Sequence, residues 1–182
     1  MVLLCGKGNN GGDGLAIFRH AEALGWECTA FVAGELEELS PDARANAEIL
    51  LSQPGTRADS LIFWREDALD RLRECLAEAD VVLDAMLGTG AQGEPNSPLA
   101  DWIDAANACR GMRLAIDMPT GLDATSGRAA SRHFYADATL TFVALKPAMA
   151  LPNAADSFGE INVLPIGIPR GLMHEILSWS QD

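Results

Sequence analysis

Two asparagines and an aspartate, Asn9, Asn10 and Asp13, sit in a turn with five glycines in nine positions, Gly6-Lys7-Gly8-Asn9-Asn10-Gly11-Gly12-Asp13-Gly14. Glycines let backbone N–H groups close on an anion, and a helix starting there adds unpaired donors and the positive end of its dipole. That is a phosphate cradle. The amide and carboxyl side chains exceed what a phosphate needs; they suit a cation or acid–base work. Further polar residues follow other apolar runs. Asp84 follows Val81-Val82-Leu83, with Gly88, Thr89, Gly90, Ala91, Gln92 and Gly93 beyond it. Asp117 follows Leu114-Ala115-Ile116, with Thr120 close behind, and Lys146 comes just after the run 139–143. If these runs are parallel strands, their carboxyl ends share one sheet edge, and ligands bind in the crevice outside it. Asn9, Asn10, Asp13, Asp84, Asp117, Thr120 and Lys146 then converge on one cleft.

Each of these residues has a plainer reading. Asp84 and Asp117 could cap turns or helices. Asp13 could favour a helix dipole, and Asn9 and Asn10 could tolerate left-handed backbone. Thr120 could be a turn residue and Lys146 a solvated one. Recurrence of the same polar, glycine-rich turn at the same end of several runs favours a site. Gly6 to Gly11 also fits G-x-G-x-x-G, the dinucleotide pattern, but the second run ends in Val32-Ala33-Gly34 where a ribose-binding acid belongs, with Glu35 only after it. An NAD-dependent oxidoreductase is therefore a runner-up. Neither a nucleophile elbow nor a P-loop is present.

The elements that must position these residues alternate in type. Strand-like runs fall at 2–5, 28–32, 60–63, 81–83, 114–116, 139–143 and 161–164. Helical periodicity falls at 13–24, where Leu15, Phe18, Ala21 and Leu24 share a face. It recurs at 41–51 with Ser40 as cap, at 67–79, at 98–109 with Ser97 as cap, and at 171–179. This alternation predicts an α/β fold with an open, mostly parallel sheet and helices on both faces. The pattern leaves the direction of the last two strands open, a closing hairpin included. Residues 120–137 read as a long functional loop. No linker divides the chain, so residues 1–182 form a single domain.

Composition narrows the classes. The 182 residues are 48 % hydrophobic, enough for a sizeable core. No apolar run approaches the roughly 20 residues of a membrane span, and no signal peptide is evident. The chain reads as soluble and cytoplasmic. A net charge of −13 argues against nucleic acid and anionic membranes as partners. Cys5, Cys28, Cys75 and Cys109 lack C-x-x-C spacing and read as free thiols, and the three histidines are isolated, so a zinc site has no support.

Five ordered blocks, GKGNNGGDG, VVLDAMLGTGAQG, AIDMPTGLD, ADATLTFVALK and FGEINVLPIGIP, resemble the YjeF N-terminal domain family over nearly the whole chain. The resemblance implies a three-layer α/β/α, Rossmann-like fold. It implies an isomerase of metabolite repair, an epimerase interconverting the R and S forms of NADH or NADPH hydrated at carbon six of the nicotinamide ring (NAD(P)HX). A separate dehydratase acting on the S form is then the pathway partner, since the chain stops soon after the Gly167-Ile168-Pro169 block. By similarity, Asn9, Asn10, Gly11, Gly12 and Asp13 contact the hydrate, the loop from Gly88 to Gly93 holds its phosphates, and Asp117 faces the ligand. A potassium ion is held by Asn10, Asp84 and Thr120. Family members usually carry serine where this chain has Thr120, but the hydroxyl is retained.

The substrate dictates the mechanism expected. Protonating the hydroxyl lets the ring nitrogen expel water, and the planar iminium-like product takes water on either face. Asp117 is the carboxyl expected to give and recover that proton; a ring-opening route is chemically open too. Members usually carry helices ahead of the first strand that cover the sheet and take part in dimerisation. This chain begins at that strand: either the start has been placed too late, or the fold tolerates the loss, in which case an uncovered apolar sheet face favours instability or association, a homodimer included. A non-catalytic nucleotide-binding or protein-interaction module of the same fold is the other alternative.

Overall fold

The computed structural model describes residues 1–53, 57, 59–65, 68–169 and 171–172. Within it run the strands β1 (Val2–Cys5), β2 (Thr29–Val32), β3 (Leu61–Phe63), β4 (Val81–Ala85), β5 (Met112–Ile116), β6 (Ala138–Phe142) and β7 (Glu160–Leu164). The helices are α1 (Asn9–Ala23), α2 (Pro41–Ser52), α3 (Ala68–Ala77), α4 (Leu99–Asn107) and α5 (Ala155–Phe158). Among the described residues the strands form one sheet in the order β3-β2-β1-β4-β5-β6-β7. Every neighbouring pair is parallel, β6 and β7 included, so the last two strands are not a hairpin. The chain winds outwards from β1 to β3, then restarts at β4 on the other side of β1. That reversal opens a crevice between the carboxyl ends of β1 and β4.

Alternation along the strands builds two cores. Leu3, Cys5, Ala30, Val32, Leu83 and Ala85 face Leu15 and Phe18 of α1 and Ala43, Ala47 and Leu50 of α2. Val2, Leu4, Phe31, Val82 and Ala115 face Leu72 and Leu76 of α3 and Trp102, Ile103 and Ala106 of α4. Strands buried on both faces read as continuous apolar runs, as β1 and β2 do. On the α1 side cover thins towards β6, where Leu114, Leu140 and Phe142 are only half-buried and Leu164 of β7 is exposed. Cys5 and Cys28 are buried free thiols.

Helix ends depart from the periodicity in instructive ways. The first helix begins at Asn9, four residues before position 13, so Asn9 to Gly12 form its first turn. It stops at Ala23, leaving Leu24 exposed, because Gly25 adopts φ 87° and donates to Glu22 while the Trp26 N–H donates to Ala21. That pairing is a Schellman stop, which needs glycine's freedom. Ser40 caps α2 as expected, accepting from the Ala43 N–H at 3.4 Å with Pro41 behind it. Ser97 does not cap α4: Pro98 holds the cap position and the Ser97 hydroxyl donates to Asp101 at 2.6 Å. The helix expected over 171–179 lies almost wholly outside the described residues.

The crossover from β5 to β6 contains no helix. An antiparallel bridge between Leu122 and Ala129 closes this loop on itself. The Arg113–Asp137 pair at 2.9 Å ties its far end back to β5.

Candidate functional site at the sheet edge

The first turn of α1 packs directly on the sheet. Gly11 lies against the Gly6 carbonyl, and a Cβ at Gly14 would stand 2.7 Å from the Ala85 Cβ and 2.8 Å from the Cys5 Sγ. Gly11 and Gly12 are thus buried packing positions; Gly12 meets Ala43 of α2 rather than the cleft. Their smallness lowers the helix N-terminus into the crevice between β1 and β4. There a cleft of about 620 Å³ opens, lined by Gly8, Asn9, Asn10, Asp13, Met86, Leu87, Gly88, Thr89, Gly90, Ala91 and Asp117. Gln92 and Gly93 line an adjoining hollow with Asp123 and Arg128 instead.

Asp84 lies inside β4, not beyond it, and is fully buried. Its Oδ1 accepts from the Thr120 hydroxyl at 2.7 Å and the Met86 N–H at 3.0 Å, and its Oδ2 accepts from the Thr120 N–H at 2.7 Å. The Thr120 hydroxyl in turn accepts from the Leu87 N–H at 3.1 Å. This network ties the turn after β4 to the turn after β5. Among the described residues no cation pairs with Asp84. Burial pushes its carboxyl up to about 6, the three hydrogen bonds offsetting part of the effect. Beside this network Asn10 is buried, and neither its Oδ1 nor its Nδ2 has a hydrogen-bond partner. Unpaired buried amides are costly, so this one marks a place for a ligand atom.

Asp117 follows β5 with φ 65°, a left-handed turn that aims its side chain into the cleft. Its Oδ1 meets Lys146 Nζ at 2.6 Å and accepts from the Thr141 hydroxyl at 3.4 Å. The Lys146 ammonium also donates to the Phe142 carbonyl at 2.9 Å and the Ala144 carbonyl at 3.4 Å, so all three of its protons are committed. Both side chains of the pair are about 15 % exposed. Asp117 Oδ2 is left towards Gly88, where a Cβ would lie 3.4 Å away. Lys7, the other lysine, pairs with Glu38 at 2.7 Å beside a neighbouring hollow. Neither lysine is therefore free for a phosphate. The Gly88, Thr89 and Gly90 N–H groups, which meet no acceptor among the described residues, and the start of α1 are the donors for one.

Asp13 lines the same cleft from α1. Its carboxyl is pushed above the usual range, first by partial burial, then by the charges of Asp117 and Asp42. The structure therefore gathers Asn9, Asn10, Asp13, Gly88 to Ala91 and Asp117 around one space, with Asp84, Thr120 and Lys146 directly behind it. Thr141 was not legible in advance, because threonine in a strand reads as β-propensity. Only its place one strand over from Asp117 reveals it.

The family model for the YjeF-related protein N-terminus matches residues 1–148. The chain belongs to this family. The matched range contains every residue of the cleft. A relative from Pirellula staleyi, named NAD(P)H-hydrate epimerase, is 39 % identical over 97 % of this chain and 76 % of its own length. One of the same name from Rhodopirellula baltica is 37 % identical over 96 % of this chain and 69 % of its own length. The Escherichia coli relative, named bifunctional NAD(P)H-hydrate repair enzyme Nnr, is 34 % identical over 94 % of this chain but only 31 % of its own. The crystal structure of yeast ynu0, YNL200c, superposes with a TM-score of 0.75 at 19 % identity, covering 96 % of this chain and 70 % of that one, and it supports the three-layer fold.

Proposed function

We propose that this YjeF-related chain is an epimerase of hydrated NADH and NADPH. The observation that carries the reading is a half-committed carboxylate, Asp117, at the mouth of a phosphate-ready cleft where β1 and β4 part. Backbone N–H groups at the start of α1 and in the loop after β4 take the pyrophosphate. The nicotinamide end then lies near Asp117. Asp117 Oδ2 exchanges a proton with the hydroxyl on carbon six; its Oδ1 stays with Lys146 and Thr141. Water leaves, the ring nitrogen carries the charge of the planar intermediate, and water returns on the other face. Lys146 is a positioning residue here, not a phosphate ligand. A dehydratase acting on the S hydrate consumes the product.

The residues fit a potassium ion. The unpartnered Asn10 amide supplies an oxygen, Asp84 a buried carboxylate with no cationic partner among the described residues, and Thr120 a hydroxyl. These are oxygen donors suited to a hard cation. When bound, potassium would supply the positive charge that Asp84 lacks. An oxidoreductase reading finds no support: no acid stands at the end of β2 to hold a ribose.

Asp117→Asn tests the assignment. Epimerisation should fall by about 100-fold or more, the span general acid–base catalysis covers, while the hydrate still raises the melting temperature. Unchanged turnover would remove Asp117 from the mechanism.

A further inference from the structure

Epimerisation at carbon six sets a requirement that one carboxyl meets poorly. Water must leave one face of the ring and arrive on the other. A single fixed acid reaches one face only, and its own reverse reaction returns water to the face it left. Inversion therefore calls for two proton-exchanging groups on opposite sides of the ring. Of the eleven residues lining the cleft, Asp13 and Asp117 alone carry carboxyl groups. They come from separate elements, Asp13 from the second turn of α1 and Asp117 from the turn after β5.

Resting on the epimerase reading, we propose that Asp13 is a second catalytic acid–base residue, serving the ring face opposite the one Asp117 serves. Asp13 makes no hydrogen bond or ion pair within the described chain, so its carboxyl is free for substrate. Asp117 Oδ1 is held by Lys146 at 2.6 Å, which leaves its Oδ2 to face the cleft. Asp42, at the start of α2, is the other acid near Asp13 and favours the protonated form, as burial and Asp117 do. The environments thus separate the two roles, as in other paired-carboxyl sites.

The step balances. The Asp13 carboxyl gives its proton to the hydroxyl on carbon six. The C–O bond breaks, water departs, and the nitrogen lone pair forms the C=N bond. A second water attacks the other face, its lone pair forming the new C–O bond as the C=N pair returns to nitrogen. Asp117 Oδ2 takes the proton this water sheds. The enzyme ends with the proton moved from one carboxyl to the other, which is the starting state for the reverse direction; exchange with solvent resets it.

The test follows oxygen as well as configuration. Purified (R)- and (S)-NADHX are incubated separately in ¹⁸O-water with wild type, Asp13→Asn, Asp117→Asn and the double variant. Chromatography resolves the epimers and mass spectrometry reads the label, with a no-protein control. Wild type should epimerise both and label both. Each single variant should lose epimerisation by roughly 100-fold or more, yet still label one epimer in place, and the two variants should label opposite epimers. The double variant should do neither. Asp13→Asn that epimerises like wild type, or single variants that label the same epimer or none, overturn the proposal. Unlabelled product from wild type overturns it as well, by pointing to ring opening. Wild type that does not epimerise refutes the epimerase reading itself. If the amide disturbs the first helix, as a lowered melting temperature would show, Asp13→Ala on its exposed side is read by the same criteria.

Discussion

Asp117 offers one oxygen to chemistry because the other is tied to Lys146 and Thr141. This separates two roles for Lys146 that a sequence cannot. Read along the chain, Lys146 is either a cleft residue or a solvated lysine; in the fold its three protons are already committed. Lys146→Met should therefore lower kcat by about 10-fold or more while KM stays within a few-fold, since only an interaction made in the transition state is lost. A large rise in KM with kcat kept would make Lys146 a substrate-binding residue instead. The strand-end position of Asp117 was legible, because an acid right after an apolar run marks a strand's carboxyl end. Its partner Thr141 was not, because the contact crosses from β5 to β6 and leaves no local signal.

At the scale of elements, the glycine turn does more than approach a ligand. Gly6, Gly11 and Gly14 let α1 start almost against β1 and β4, which brings Asn10 and Asp13 to the cleft. Gly14→Ala forces a methyl to within 2.7 Å of Ala85 and 2.8 Å of Cys5. We expect a loss of about 1–3 kcal/mol in urea unfolding, the usual range for overpacking; an unchanged midpoint would contradict the close packing. The same glycines hid the helix start. They have poor helix propensity, so periodicity placed the beginning at Asp13 rather than at Asn9. Likewise Asp84 read as a turn acid although it lies within β4, because a charge inside a buried strand is legible only once Thr120 and Met86 are seen to satisfy it. The parallel pairing of β7 was also unreadable, since a connection of short helical turns (Pro147–Ala150, Pro152–Ala154, α5) has no strong period.

For the whole molecule, the cleft and the fold share one buried charge. Asp84 is held at about 6 in the fold, against ~3.9 in an unfolded chain. A folded value raised in this way contributes stability that is present below the unfolded value and lost as pH rises through about 6. A cation at Asn10, Asp84 and Thr120 would offset that loss. Potassium should therefore raise the melting temperature, relative to tetramethylammonium at equal ionic strength, more at ~pH 7.5 than at ~pH 5. Equal gains at both pH values, or none, would contradict a cation on Asp84. The βα winding and the edge that carries the chemistry were legible from alternation alone. Among the described residues no helix is long and apolar enough to cross a membrane.

The most direct measurement is epimer interconversion by the unmodified protein. Purified (R)-NADHX, and separately (S)-NADHX, would be incubated with it in potassium buffer, and the R-to-S ratio followed chromatographically beside a no-protein control. Both samples should approach the same ratio far faster than the control. Ratios that track the control from both sides, with hydrate still bound, would contradict it and leave a binding module in its place.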